Sequence, residues 1–385
     1  MRKLKLFGLI LVVGLISFLA VSNSHNMIVN AVDINFSTSA KAMCVLEKDS
    51  GRIITGKNMD TQLAMASTTK IVTAITVIQN CKNLDEQIQV NDKAVGVEGS
   101  SIYLRLGEII SIKDLLYGLM LRSGNDSALA LACHVGGSEK GFAKLMNETA
   151  KIAGAENSHF VTPHGLDHKD HYTTAYDLAK ITAYALNNPI FKEVVSTKLH
   201  VVEATNKSDK RYMSNKNKLL NTLDGCVGVK TGFTTKAGRC LVSAIERDNT
   251  TYVCVVLNCG PMFEESATLL NNADYAYTNT KIIDKNKEIY NEYIIDEAHG
   301  KLYLYAEEDV YYPLTAGEME DIRLEYKVKL DNAKVGDQVG EIKVFFKKDL
   351  LKTIKLVTMN KIDKLIDSGT LEICEILWSE NLNNQ

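Results

Sequence analysis

The stretch GCVGVKTGFTTKAGRCLVSAIERDNTTYVCVVLNCG, Gly225 to Gly260, decides the fold. It contains three apolar, β-branched runs, and the second and third are joined by the short polar link Arg247 to Thr251. Runs of this kind with so short a connection read as antiparallel neighbours. Far upstream, KAMCVLE (Lys41–Glu47), a turn at Asp49 to Gly51 and RIIT (Arg52–Thr55) read as another hairpin. Between these strand-rich ends, from Thr68 to about Val195, the period is helical. SIKDLLYGLMLRSG (Ser111–Gly124) and DSALALACHVGG (Asp126–Gly137) form a pair broken at Ser123 to Asn125. SEKGFAKLMNETAKIAG (Ser138–Gly154) is a helix stopped by its glycine, and TAYDLAKITAYALNN (Thr174–Asn188) follows. Strand character returns at Leu199, and a helix from about Glu265 to Thr278 closes the unit. The expectation is an α/β (α+β) domain with an antiparallel sheet covered by helices.

Beyond residue 283 the texture changes to short alternating strands such as KLYLYAEE (Lys301–Glu308), IRLEYKVKL (Ile322–Leu330) and EIKVFFKKDL (Glu341–Leu350). That pattern predicts a small all-β domain. The expected organisation is a signal segment at 1–31, a catalytic-type domain at 32–282, the β domain at 283–360 and a tail at 361–385. The signal is read from Arg2, Lys3 and Lys5 ahead of an apolar run from Leu6 to Val21, with cleavage after Ala31. An uncleaved anchor is the alternative, and either places the folded part outside the cytoplasm. The tail carries Ile362, Leu365, Ile366 and Trp378 for a weak peripheral contact with a membrane surface. Its acidic residues make packing on the β domain an equal expectation.

Lys plus Arg number 44 against 47 Asp plus Glu, so no basic excess points to nucleic acid or to a polybasic membrane patch. The eight cysteines are scattered without a CxxC, and the chain is long enough to build its own core. Neither a disulfide framework nor a thiol nucleophile is expected. Cys133, Cys240 and Cys254 read as small core residues.

Three short pieces carry chemistry. In MASTTKIVTAITVIQN (Met65–Asn80), Ser67 opens a helix and Lys70 follows one turn later on the same face. A neutral lysine amine there can take the serine proton, provided burial and a second cation depress its pKa. Alone, so short a pattern reads as a helix cap and a solvated lysine. Ser123-Gly124-Asn125 sits in a tight loop between two apolar helices. Its hydroxyl can relay a proton, and its amide can hold a substrate carbonyl or the first lysine; alone it is an ordinary turn. Lys230-Thr231-Gly232 lies on a strand. The lysine and hydroxyl can grip a carboxylate, Gly232 leaves room for substrate backbone, and Phe233 can offer its N–H to a reacting carbonyl. The segment TPHGLDHKDHYTT (Thr162–Thr174) places His164 and His168 at a spacing seen in zinc sites. Pro163, Gly165 and the absence of H-E-x-x-H argue against a metal.

The order S-x-x-K, S-x-N, K-T-G resembles the penicillin-binding serine transpeptidase and β-lactamase superfamily. MASTTKIVTA, LLYGLMLRSGNDSA, TPHGLD, HYTTAYDLA and KTGFTTKAGRCLVSA narrow the resemblance to low-molecular-mass penicillin-binding proteins, serine D-alanyl-D-alanine carboxypeptidases of the peptidase S11 type. The resemblance implies Ser67 as acylated nucleophile, Lys70 as general base and Ser123 as proton relay. Asn125 would bind the substrate amide, with Lys230, Thr231 and Gly232 at the carboxylate end. The N–H groups of Ser67 and Phe233 would form the oxyanion hole. It implies peptidoglycan stem peptides and β-lactams as ligands, no cofactor and no metal. Many relatives carry an arginine near the carboxylate site. Here the corresponding region reads NCGPMFEES without one, and Arg239 reads better as a solvated strand residue. A class A β-lactamase adds an E-x-x-L-N block, which does not occur between Asn125 and Lys230. An endopeptidase acting on peptide cross-links and a non-catalytic penicillin-binding sensor remain the alternatives.

Overall fold

A computed structural model describes residues 35–287, 289–294, 301–329 and 337–358. The expected signal segment and the tail lie outside the described residues. The central sheet has five antiparallel strands in the order β2-β1-β9-β8-β7. These are β1 (Ala42–Glu47), β2 (Ile53–Lys57), β7 (Cys226–Thr234), β8 (Gly238–Arg247) and β9 (Thr250–Leu257). The β8–β9 link turns through Asp248 and Asn249, both at positive φ (46° and 59°), which suits a two-residue hairpin turn.

Every residue of β9 is buried, which explains the apolar run Tyr252–Leu257 that follows its two threonines. Val253, Val255 and Leu257 enter the larger core, whereas Tyr252, Cys254 and Val256 enter a second core on the opposite face. Helices cover both faces. Six lie on the side of the larger core: α1 (Lys70–Asn80), α2 (Ile112–Leu121), α3 (Asn125–Gly136), α4 (Glu139–Ile152), α5 (Ala175–Leu186) and α6 (Pro189–Ser196). After the short turn α7 (Leu219–Thr222), α8 (Met262–Ala276) covers the other face. α8 starts slightly earlier than the sequence pattern suggests. Small ribbons β3 (Gln87–Gln89) with β4 (Ile109–Ser111), and β5 (Leu199–Val202) with β6 (Arg211–Ser214), flank the helices. The helix starts follow capping chemistry. Ser111, Ser138 and Thr174 each accept the N–H three residues on, and Asn188 caps α6 ahead of Pro189.

α1 is the exception. All of Lys70–Ile78 is buried, so it is a central helix and not a surface amphipathic one. Ser67 does not cap it. The residue sits inside a 3₁₀ turn, Ala66–Thr69, that leads into α1.

The second module contains the sheet β11-β12-β16-β15-β14 and the pair β10–β13. Its strands are β10 (Thr278–Ile283), β11 (Tyr290–Ile294), β12 (Lys301–Ala306), β13 (Val310–Leu314), β14 (Ile322–Val328), β15 (Gln338–Phe346) and β16 (Asp349–Thr358). Because Thr278–Ile283 pairs with Val310–Leu314, the chain enters this module directly after α8, ahead of the expected boundary at 283. The guanidinium of Arg52, just before β2, reaches across to it. It lies 4.9, 5.1 and 4.7 Å from the rings of Tyr277, Tyr312 and Phe346. It also donates to the Pro313 carbonyl and pairs with Glu318 at 2.7 Å.

The seven described cysteines are free thiols. Cys240 and Cys254 are core residues as expected, but Cys133 is only half-buried, because α3 turns that position toward its rim.

Candidate active site

The fold brings the three motifs together along edge strand β7. The 3₁₀ turn packs directly on that strand. A Cβ added at Gly232 would stand 3.0 Å from the Met65 carbonyl oxygen, 3.0 Å from the Ser67 nitrogen and 3.1 Å from the Thr68 nitrogen. Gly232 is therefore needed to seat the Ser67 turn. The room it creates is taken by protein, not by substrate backbone as the sequence suggested. Ala66, immediately before Ser67, has φ +51°, a left-handed conformation that costs about 1–2 kcal/mol for a residue with a Cβ.

Neighbouring groups hold that turn in place. Thr69 Oγ1 donates to the Ala66 carbonyl at 2.8 Å and contacts His171 Nε2 at 2.8 Å. His171 Nδ1 accepts the Val161 N–H at 2.9 Å, so Nε2 carries the proton and donates to Thr69. Burial, foremost, pushes the His171 pKa down to about 3, which keeps the ring neutral in this chain of bonds. Gly165 closes over the same carbonyl: a Cβ there would lie 2.0 Å from the Ala66 oxygen.

Lys70 is fully buried, and its Nζ has three partners. They are Ser67 Oγ at 3.0 Å, Asn125 Oδ1 at 2.7 Å and the His164 carbonyl at 2.6 Å. The last two can only accept. They take two N–H bonds and leave the third direction of the nitrogen toward the serine hydroxyl. Burial is the main cause that lowers the Lys70 pKa well below the ordinary lysine range. The charges of Lys230 and Lys216 add to it, and Asp126 opposes them.

Ser123 is buried at φ +63° between α2 and α3. Asn125 is also buried, and both ends of its amide are engaged within the protein. Oδ1 accepts from Lys70, and Nδ2 donates to the Glu98 carbonyl at 2.6 Å. Its backbone N–H donates to the Ser100 carbonyl at 2.7 Å. Of the two roles the sequence allows Asn125, the geometry displays the grip on Lys70.

Lys230 is 1% exposed and donates to the Thr231 carbonyl at 3.0 Å. Burial, and after it the Lys216 charge, push its pKa down to about 7. Thr231 is half-buried, and Phe233 is 65% exposed at the rim. Arg239, opposite Phe233 in the β7–β8 register, is exposed and donates to the Gly260 carbonyl at 3.3 Å.

The loop Thr162–His171 is part of this centre. Besides the His164 carbonyl, the Pro163 carbonyl accepts from Thr73 Oγ1 at 2.6 Å, and Asp167 accepts from Thr234 Oγ1 at 3.0 Å. In the sequence, TPHGLD and HYTTAYDLA enter as blocks of the family resemblance. The sequence does not reveal that a backbone carbonyl there holds Lys70. Nor does any motif single out Lys216, Glu98 or Ser100. No group of three or more His, Cys, Asp or Glu suited to a metal occurs among the described residues.

A family model described as D-alanyl-D-alanine carboxypeptidase matches residues 27–260, and one described as the C-terminal domain of penicillin-binding protein 5 matches residues 277–364. D-alanyl-D-alanine carboxypeptidase DacF of Bacillus subtilis is 30% identical over 311 residues, covering 78% of this chain and 79% of the relative. The D-alanyl-D-alanine carboxypeptidase of Streptomyces sp. K15 is 36% identical over 248 residues, 60% of this chain and 85% of the relative. The crystal structure of penicillin binding protein 5 from Haemophilus influenzae superposes with a TM-score of 0.69 at 26% identity, covering 85% of this chain and 98% of that one. The chain belongs to the peptidase S11 family of D-alanyl-D-alanine carboxypeptidases.

Proposed function

We propose that this protein removes the terminal D-alanine from peptidoglycan stem pentapeptides through an acyl-enzyme on Ser67. The observation that carries the proposal is the bonding of Lys70. Two acceptors that cannot donate occupy two of its hydrogens, and its depressed pKa favours the neutral amine. The remaining lone pair takes the Ser67 proton as Oγ attacks the D-Ala–D-Ala carbonyl carbon. The N–H groups of Ser67 and Phe233 receive the oxyanion. The proton then passes to the leaving amine by way of Ser123, the peptide C–N bond breaks and D-alanine departs. Water cleaves the ester, restoring Ser67 and releasing the shortened peptide. Thr231 and Lys230 hold the terminal carboxylate, Asn125 positions Lys70, and Gly232 seats the turn.

β-Lactams acylate the same serine. With no E-x-x-L-N block between Asn125 and Lys230, the penicilloyl ester persists. Such a substrate places the enzyme outside the cytoplasm at the cell wall. The basic and apolar start of the chain supports export, with residues 1–31 as signal, the catalytic domain following and the β module as a spacer or partner-binding unit. No described helix is long and apolar enough to cross a membrane.

The test is D-alanine release from a pentapeptide ending in D-Ala–D-Ala, with benzylpenicillin and intact mass in parallel. Release lost on Ser67→Ala, together with a lasting penicilloyl mass on the unaltered protein, is the expected result. A lasting adduct without release would overturn the carboxypeptidase assignment in favour of an endopeptidase or sensor.

A further inference from the structure

β7 is the outer strand of the central sheet, so one of its edges is open to an extended peptide. Along a strand, the backbone groups of every second residue point to the same edge. With Phe233 offering its N–H to the scissile carbonyl, Thr231 and Phe233 share the open edge. The D-Ala–D-Ala end then runs antiparallel to β7, its carboxylate at Thr231. The residue ahead of D-Ala–D-Ala falls one step of about 3.4 Å beyond Phe233, beside Thr234, where β7 ends. None of the three motifs reaches that position.

Asp167 stands there. Thr234 Oγ1 accepts the Ala237 N–H at 3.0 Å and donates its own proton to Asp167 Oδ1 at 3.0 Å. Thr234 shares a face of β7 with Gly232, the face on which the Ser67 turn sits. The other end of the Asp167 loop is fixed to the same centre. Gly165, two residues earlier, closes over the Ala66 carbonyl, and the His164 carbonyl accepts from Lys70. The carboxylate is thus pinned between the Ser67 turn and the end of β7. It is exposed, and among the described residues no cation pairs with it and Oδ2 accepts no hydrogen bond. Its loop neighbours His168 and Asp170 face each other at 3.9 Å.

We infer that Asp167 is a specificity-determining residue that receives a side-chain ammonium on the residue preceding D-Ala–D-Ala, so that the preferred stem peptides carry a diamino acid there. The inference deepens the carboxypeptidase reading and rests on it. Oδ1 stays with Thr234, and Oδ2 accepts from the ammonium. An exposed pair of this kind changes binding by about fivefold at most, and salt weakens it.

The experiment compares two pentapeptides that end in D-Ala–D-Ala and carry lysine or Nε-acetyllysine just ahead of it. Acetylation removes the charge and keeps the chain. The unaltered protein is expected to favour lysine about three- to fivefold in kcat/KM at low salt, mainly through KM, and the ratio should fall toward one in about 1 M NaCl. Asp167→Asn keeps an oxygen that accepts from Thr234 and removes the charge, so it should bring the ratio near one at either salt. A ratio near one in the unaltered protein would overturn the inference. So would a preference that Asp167→Asn leaves unchanged, because a carboxylate that only clips the loop to β7 acts on both peptides alike. Each ratio is taken within one protein, so a partial loss of folded enzyme cancels from it. Acylation by benzylpenicillin without D-alanine release would sink the carboxypeptidase reading. Protection of Ser67 from that acylation by each peptide, read by intact mass, would then decide Asp167 through the same ratio.

Discussion

Asn125→Asp is nearly isosteric and replaces the amide oxygen 2.7 Å from Lys70 Nζ by a carboxylate oxygen. It also removes the donor to the Glu98 carbonyl, which the new anion can only repel. The main effect is on the lysine. In the native site burial and the charges of Lys230 and Lys216 disfavour the charge on Lys70, and Asp126 favours it. A carboxylate in hydrogen-bond contact reverses that balance, and an opposite charge this close strengthens proton binding by about 10- to 1000-fold. Lys70 then carries its proton at neutral pH and cannot accept another from Ser67. The acylation rate at pH 7 should fall by a similar factor, toward the upper end because the pair is buried. The loss should be recoverable. As pH rises, the neutral fraction in the variant grows about tenfold per unit until the new pKa is passed. The assay is the second-order rate of penicillin acylation by intact mass from pH 6 to 10, native against variant. A variant as fast as native at pH 7, or one slowed equally at every pH, would refute the general-base argument.

Gly165→Ala drives a Cβ to 2.0 Å from the Ala66 carbonyl at a backbone φ of +87°. It should lower stability by more than about 4 kcal/mol, read by denaturant unfolding. Lys230 should give stability a pH dependence. Its folded pKa is pulled down to about 7 whereas the unfolded chain holds that proton up to the ordinary lysine range. Stability therefore rises with pH across that window, and below it the full burial penalty remains. Lys230→Met should make the slope between pH 6.5 and 9 shallower in urea melts, with Lys70 supplying part of what is left, and a slope unchanged by the substitution would count against a buried, displaced lysine. Arg52→Ala strips three aromatic contacts and the Glu318 pair from a largely buried guanidinium. It should destabilise the β module by about 3 kcal/mol in calorimetry, with turnover of a soluble pentapeptide unchanged.

Where one residue type can do only one thing, the sequence was legible. Alternating Val253 and Cys254 could belong only to a strand buried on both faces. The S-x-x-K spacing likewise set Lys70 beside Ser67. Contacts made by main-chain atoms were not legible. Any residue at 164 could present the carbonyl that accepts from Lys70, so the side chain identity carries no trace of that bond. Gly232 was identified as a site of close approach, but a glycine does not state what approaches, and the answer was the Ser67 turn. Asn125 offered two roles by chemistry, and only packing against Glu98 distinguishes them. Lys216 lies in none of the motifs, and its bond to Ser100 has no sequence signature.

The two edges of the central sheet do different work. Arg52 fastens the β module beside β2, while the Ser67 turn leans on β7 at the far margin. Four interstrand steps separate them, roughly 19 Å at about 4.8 Å per step. The sheet is thus a stand-off beam with its anchorage at one end and its cutting edge at the other. A load on the β module enters the catalytic domain through Arg52 at the β2 edge and through α8, which covers the face of Tyr252, Cys254 and Val256. Neither path enters at β7, where the Ser67 turn is seated.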